Sequence, residues 1–535
     1  MKRTIPNGRT PLFSAVRRAL HAARHATNPA APPADEGAEM RRAQVRSFSR
    51  RHFLKVAGAA SLAVGASGCS LLNLGQPGSG RDEARVAIVG GGIAGLNAAY
   101  TFKKAGLKAT VYEASRRTGG RIVTAHGALA PGLYTERGGE FIDSDHEDML
   151  ALASEFGLEL VDLHGPSQAG LTEGYFFNGR HYTEAEVIEA FRPLAPQIEA
   201  DLQAMGDSED PAILAVYDVP LSEYLERIGA SGFIRELLEV AYVTEYGLDA
   251  AETSAINLIW LIGTDTSEGF EVFGESDERF KVKGGNQQIV DELARRLEGQ
   301  IRAEHALEAL RHHGDGFRLT FQEPSGTTRD VHADFVVLAL PFTKLREVAL
   351  DLDLPDLKRK AINELGYGTN AKLHVGTTHR PWREMGFNGT VYSDAGYQNA
   401  WDSSQGLGTT AGAITFFLGG TPGLQVGRGS AEYQADRLMP GLEKAFPGVG
   451  AVRNGNVLRS HWPTNPFTLG SYACYKPGQV AAFSGVEGEP VGHLFFAGEH
   501  TSVDFQGYMN GGAETGRLAA EGILEKMSAP RRKAA

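Results

Sequence analysis

Arg85-Val-Ala-Ile-Val-Gly90-Gly91-Gly92-Ile-Ala-Gly95-Leu-Asn-Ala-Ala-Tyr100 decides how this chain is read. The apolar residues 86–89 predict a buried strand, the glycines a tight turn, and the residues after them the start of a helix. Gly90, Gly92 and Gly95 satisfy the G-x-G-x-x-G spacing, with Ala94 at the entry to the helix. The first glycine permits the turn, the second lets backbone N–H groups approach a pyrophosphate, and the third lets helix and strand pack closely. The helix N-terminus then directs partial positive charge at phosphate. A second strand, Lys108-Ala-Thr-Val-Tyr-Glu113, ends in an acid 18 residues after Gly95. A carboxylate there suits a ribose 2′-hydroxyl, so the segment predicts a dinucleotide site rather than a plain strand-to-helix turn.

The same theme recurs along the chain. Arg117-Thr-Gly119-Gly120-Arg121 follows at once, and Arg121 could neutralise pyrophosphate charge. Residues 146–161 and 176–262 read as mostly helical. Lys283-Gly284-Gly285-Asn286 opens a helix over 286–298, followed by strands at 299–310, 317–322 and 334–340, the last ended by Pro341. A helix over 352–364, strands starting at Lys372 and Ala413, and a helix over 430–446 suggest a second sheet with its own helices. His493-Leu-Phe-Phe-Ala-Gly498-Glu499 and a helix from about 512 to 526 repeat the strand-to-helix theme. Nucleotide-type elements at three separated places predict two interleaved domains. One takes 83–150, 277–345 and 456–527, the other 151–276 and 346–455, with 528–535 as a tail.

Composition narrows the function. Residues 1–80 carry 12 Lys or Arg against 3 Asp or Glu, and the remainder is strongly acidic. An acidic body argues against nucleic-acid binding and would attract cations. Cys69 and Cys474 are the two cysteines, and no close histidine pair accompanies them, so neither a disulfide framework nor a metal site is expected. Ser49-Arg50-Arg51-His52-Phe53-Leu54-Lys55, followed by small apolar residues, reads as a twin-arginine export signal within a signal and linker region covering 1–82. Met40 is a candidate start. Periplasmic or cell-surface location follows, with a lipid anchor if Cys69 is modified; that modification is the one route to a membrane.

Three blocks together resemble the flavin-containing amine oxidase family over roughly 84–527: the turn at 90–95 with Arg117-x-Gly-Gly-Arg121; Lys283-Gly284-Gly285 with Ala333-Asp334-Phe-Val-Val-Leu-Ala-Leu-Pro341; and Phe496-Ala497-Gly498-Glu499 with Gly507-Tyr508-Met509-Asn510-Gly511-Gly512. The resemblance implies an α/β protein, a Rossmann-like FAD-binding domain interleaved with a substrate domain of mixed sheet and helices. It implies that Gly90, Gly92, Ala94, Gly95 and Arg121 lie at the pyrophosphate and Glu113 at the adenosine ribose. Leu307 would approach the adenine through its backbone, Glu499 the ribityl or phosphate region, and Gly139 and Met509 the flavin. Ser115 stands where many members carry arginine, which removes one polar contact.

Lys372 matches the family lysine that reaches a water near flavin N5, where positive charge stabilises electron-rich flavin. Tyr472 and Tyr508 match the two rings that sandwich the amine, and Trp462 a neighbouring wall. Ser471 stands where some members attach flavin to cysteine, so non-covalent FAD is expected. Glu140 and Asp143 follow Gly138-Gly139 as candidate substrate residues, Asp143 matching an acid that in some polyamine oxidases binds a distal ammonium. No arginine follows this glycine pair to grip a carboxylate. The resemblance thus implies oxidation of a di- or polyamine to an imine and then an aldehyde. Electrons would pass to oxygen, giving hydrogen peroxide, or to a quinone-like acceptor. An L-amino-acid oxidase or dehydrogenase for L-Arg or L-Lys, and a flavin-bound redox scaffold, are the alternatives; a homodimer stays open.

Overall fold

A computed structural model describes residues 84–206, 210–267 and 269–528. The export signal, Met40, Cys69, the linker and residues 529–535 of the tail lie outside the described residues. The centre is a five-stranded sheet in the order Leu494–Phe496, Phe335–Leu338, Val86–Val89, Ala109–Tyr112, Ile301–Arg302, and every pairing in it is parallel. All four residues of Val86–Val89 are buried, as expected for a parallel strand covered on both faces. Gly90 has φ +108°, which closes the turn, and a Cβ on Gly95 would overlap the Gly90 carbonyl oxygen. The helix Ile93–Lys104 packs along the helix Met509–Ser528, and a side chain at Gly516 would overlap the Ala94 carbonyl. Chain segments hundreds of residues apart therefore build one nucleotide-type layer.

A four-stranded sheet, Thr328–Ala333, Gly316–Gln322, Ala306–His313 and Ala349–Asp351, carries Leu307. The larger sheet has seven strands in the order Arg453–His461, Ala371–Thr377, Gly412–Leu418, Asn399–Asp402, Phe387–Ser393, Thr172–Phe177, Arg180–Tyr182. Its register aligns Lys372, Phe417, Asn399, Tyr392 and Tyr175 in one row across five strands. Residues directly opposite one another point to the same face, so this row forms a continuous floor. Among the described residues no helix is long and apolar enough to cross a membrane.

The fold departs from the sequence expectations in several places, among them the strand Leu160–Asp162 at the end of the stretch 146–161 read as helical. Residues 172–182, expected to open into helix at 176, form a strand hairpin, because Tyr175–Phe177 bury consecutively against the core and erase the alternating pattern. The expected strand 299–310 divides into Ile301–Arg302 and Ala306–His313. The last helix begins at Met509 rather than near 512: the glycines at 511 and 512 read as breakers but serve close approach, Gly512 lying against Ile93. The expected boundary at 456 passes through Arg453–His461, which pairs with Ala371–Thr377 in the seven-stranded sheet.

Candidate functional site

One cavity of about 1100 Å³ runs from the four-stranded sheet, past the glycine turns, to the floor of the seven-stranded sheet. Leu307 lines its first end, and a β-bulge between Leu307 and Ala309 interrupts the ladder there. Such a bulge re-aims backbone polar groups. Glu113 comes next. Its carboxylate accepts the N–H of Gly91 and of Ser115, each at 2.7 Å. Every carboxylate oxygen has a second lone pair, so two acceptor sites remain for ribose hydroxyls. Ser115 thus contributes by aiming the acid through its backbone.

Gly90, Gly92, Ala94, Gly119, Gly120 and Arg121 line the middle. Arg121 pairs with Glu499 at 2.8 Å and donates to the Ser471 carbonyl at 2.6 Å. The other Glu499 oxygen accepts the N–H of Gly507 at 3.0 Å and of Ala473 at 3.3 Å. Glu499 therefore joins three chain segments that meet at the cavity. His500, next to it, is buried with no hydrogen-bond partner on either ring nitrogen among the described residues. Burial, helped by the positive charges of Arg121, Lys358 and Arg346, holds its pKa well below the usual histidine range. The sequence reading did not single it out.

Beyond the glycines the cavity reaches Gly139, Glu140, Lys372, Trp401, Trp462, Tyr472, Tyr508 and Met509. A Cβ at Gly139 would lie 2.6 Å from the Met509 side chain, so the glycine lets Met509 lie on the backbone. Trp462 donates to the Arg137 carbonyl at 3.1 Å and packs against Gly138. The buried Lys372 ammonium donates to Glu140 at 2.8 Å, to the Gly138 carbonyl at 2.8 Å and to the Glu136 carbonyl at 3.3 Å. It also lies 5.1 Å from the centre of the Trp401 ring. Its three protons are matched by three acceptors, which fixes the ammonium in place. Glu140, expected at the substrate, spends its charge on this lysine.

Asp143 is buried and absent from the cavity lining. It accepts the hydroxyl of Ser276 at 2.7 Å, and the same Ser276 oxygen lies 3.1 Å from the Tyr508 hydroxyl. Asp143, expected at a substrate ammonium, is linked through this serine to a cavity tyrosine. Tyr472 donates its hydroxyl to the Glu245 carbonyl at 2.6 Å. Besides Glu140, the acids that line this end of the cavity are Glu173, Glu245 and Glu278. Desolvation among the cavity walls raises Glu173, whose side chain still has exposed surface, to about 6, with Glu184 and Glu271 adding repulsion. Burial, followed by Asp143, Glu245, Glu173 and Glu140, pushes Glu278 well above the carboxylate range. None of the three carries a motif; they converge from a strand, a helix and a loop, which one-dimensional reading could not bring together.

The family described as flavin containing amine oxidoreductase matches residues 93–524. The chain belongs to this family. Relatives include an amine oxidase of Oncorhynchus mykiss, 24% identical over 83% of this chain and 86% of the relative. An L-amino acid dehydrogenase of Synechocystis sp. is 24% identical over 82% and 94%. Among solved structures, cyclohexylamine oxidase from Brevibacterium oxydans superposes with a TM-score of 0.73 at 22% identity, over 84% of this chain and 100% of that one. Putrescine oxidase bound to putrescine gives 0.69 at 21%, over 83% and 99%. The flavin amine oxidoreductase fold, a parallel sheet beside a mixed sheet, is therefore that of this protein, an enzyme acting on CH–NH2 donors. FAD is the family cofactor, and the glycine-lined, elongated cavity with an acid at one end has the form such a group requires.

Proposed function

We propose that this flavin amine oxidoreductase oxidises a di- or polyamine, with FAD held non-covalently. The observation that carries the reading is the acid-lined end of the cavity beside the seven-stranded sheet, which has no guanidinium. Among the described residues, its cations are Arg116, Arg117 and Arg121 beside the glycine turns, Lys344, and Lys372, whose charge is answered by Glu140. The end bounded by the seven-stranded sheet holds Glu173, Glu245 and Glu278 without a guanidinium. Phosphates suit the first end and a second ammonium the other. A substrate carboxylate would meet acids and no guanidinium at that end, which disfavours an amino acid.

In this reading Gly90, Gly92, Ala94, Gly95 and Arg121 hold the pyrophosphate of FAD, Glu113 its ribose, Leu307 its adenine, and Gly139, Glu499 and Met509 its remaining length. Bound FAD supplies the two-electron oxidation of amine to imine. Tyr472 and Tyr508 wall the amine and exclude water, and Lys372 provides fixed positive charge. Ser471 offers no thiol, and Cys474 is buried away from the cavity lining, which supports non-covalent attachment. The Arg50-Arg51 stretch supports export by the twin-arginine route as part of the same proposal.

Bleaching of the flavin under nitrogen by putrescine, spermidine, a monoamine, L-arginine and L-lysine tests the substrate class. Fast bleaching by the di- and polyamines is expected. Turnover of the amino acids alone would replace this reading with the amino-acid one, and no bleaching by any of them would leave a redox scaffold.

A further inference from the structure

Asp277, Glu278 and Arg279 are consecutive, yet of the three only Glu278 lines the cavity. Its neighbours are tied down on either side. Asp277 accepts the backbone N–H of Ser144 at 2.9 Å, and Arg279 pairs with Asp162 at 2.9 Å. Between them Glu278 has φ +42°, a left-handed conformation that costs energy for a residue with a side chain. The Glu278 carboxyl has no hydrogen-bond or ion-pair partner among the described residues. Desolvation comes first in holding it above the carboxylate range, and four acids follow: Asp143, Glu245 of the helix Gly232–Tyr246, Glu173 of the strand Thr172–Phe177, and Glu140. Tyr392, from the strand Phe387–Ser393, joins this group. It is 5% exposed and lines the cavity. Its hydroxyl has no hydrogen-bond partner among the described residues but is not sealed from solvent, so it opens on the cavity. Burial, then Glu173, Glu278, Tyr175 and Glu245, push that hydroxyl well above the tyrosine range, so it keeps its proton.

Carboxyls brought together without a cation cannot all ionise, so one of them keeps a proton while no substrate is bound. Glu173, at about 6, is ionised at neutral pH, which leaves the proton on Glu278. An ammonium arriving among these groups reverses the balance. It has three N–H groups to donate, and a carboxylate accepts them where a carboxylic acid would present its own proton. We propose that Glu278 is the specificity-determining residue of the distal subsite: with Glu173 and the Tyr392 hydroxyl it takes the second ammonium of a diamine, and it gives up a proton to solvent as that ammonium enters. This rests on the diamine reading above and deepens it. Charge balances, since one ammonium enters and one proton leaves, and the one bond broken is the O–H of Glu278.

The test uses the FAD-loaded enzyme with its flavin reduced under nitrogen, so that amines bind without turning over. Putrescine and n-butylamine, which has the same four carbons and no distal nitrogen, are titrated by calorimetry at neutral pH. Phosphate and Tris buffers, with their unequal ionisation heats, report the protons released. Whatever the reacting nitrogen sheds is common to both amines. Putrescine should therefore release up to about one proton more per site than butylamine. In Glu278→Gln that excess should vanish, and the ratio of kcat/KM for putrescine to that for butylamine, measured on oxidised enzyme, should fall roughly 10- to 100-fold. Tyr392→Phe should lower the ratio while keeping the proton excess. Glu278→Gly, which suits the left-handed backbone, should repeat both losses if Glu278→Gln does not fold. Equal proton release by the two amines in the wild type, or an excess that persists without the Glu278 carboxyl, would overturn the proposal while leaving the diamine reading intact. Failure of that reading shows differently: putrescine then does not bleach the oxidised flavin at all, and both fall together.

Discussion

Lys372 shows how a single residue ties fold to chemistry. Its ammonium and the Glu140 carboxylate are both buried, and each is the other's counter-charge. Removing one leaves a buried charge unpaired, at a cost of about 3–5 kcal/mol. Lys372→Met should therefore lower Tm as well as slow the flavin half-reactions. Adding Glu140→Gln should restore Tm without restoring the rates, which thermal unfolding and stopped-flow absorbance would separate. Glu173 gives a pH-dependent counterpart. Its carboxyl is raised to about 6, so its charge is present above that pH and lost as pH falls through it. Binding of a dicationic amine should weaken as pH drops from 7 to 5. Glu173→Gln should flatten that part of the KM profile, and an unaltered profile would remove Glu173 from the subsite. The lysine and both tyrosines were legible in the sequence because they sit in motif-bearing segments. Glu173 and Glu278 were not: each has ordinary neighbours, and only the folding of a hairpin and a loop onto one cavity gives them a role.

At the scale of elements, small residues decide which helices meet. The first helix and Met509–Ser528 approach so closely that a methyl group at 516 has no space beside the Ala94 carbonyl. Gly516→Ala should destabilise by about 1–3 kcal/mol, the usual range for overpacking, and should weaken FAD retention because Ala94 lines the cofactor cavity. Thermal unfolding and flavin absorbance after desalting would check both effects; a Tm unchanged with FAD bound would contradict the packing argument. Legibility differs here as well. The strand Val86–Val89 and its following helix read directly from the glycine spacing. The strands Phe387–Ser393 and Asn399–Asp402 did not, since neither alternates regularly between a buried and an exposed face.

For the whole molecule, the three separated nucleotide-type blocks predicted interleaving, and the parallel sheet assembles strands from all of them. Its cavity keeps its guanidinium groups near the glycine turns, where carboxylates accompany them, and has none at the far floor beside Glu173, Glu245 and Glu278. Non-covalent attachment makes a prediction at this scale. Acid precipitation of the purified enzyme should leave the yellow colour in the supernatant; colour retained in the pellet would mean a covalent bond to some other residue than Ser471.

The Asn97 side chain donates to the Ala513 carbonyl at 2.7 Å, across 416 residues of chain. A ribosome adding about 5–20 residues per second would need on the order of half a minute between making the two partners. Through that interval the first nucleotide turn has no closing helix, and Phe335–Leu338 has an unpaired apolar edge awaiting Leu494–Phe496. Cofactor capture is therefore a late event in the life of the chain, after the helix Met509–Ser528 has been made. A nascent chain arrested near residue 480 should bind no flavin and should depend on chaperones that shield sheet edges.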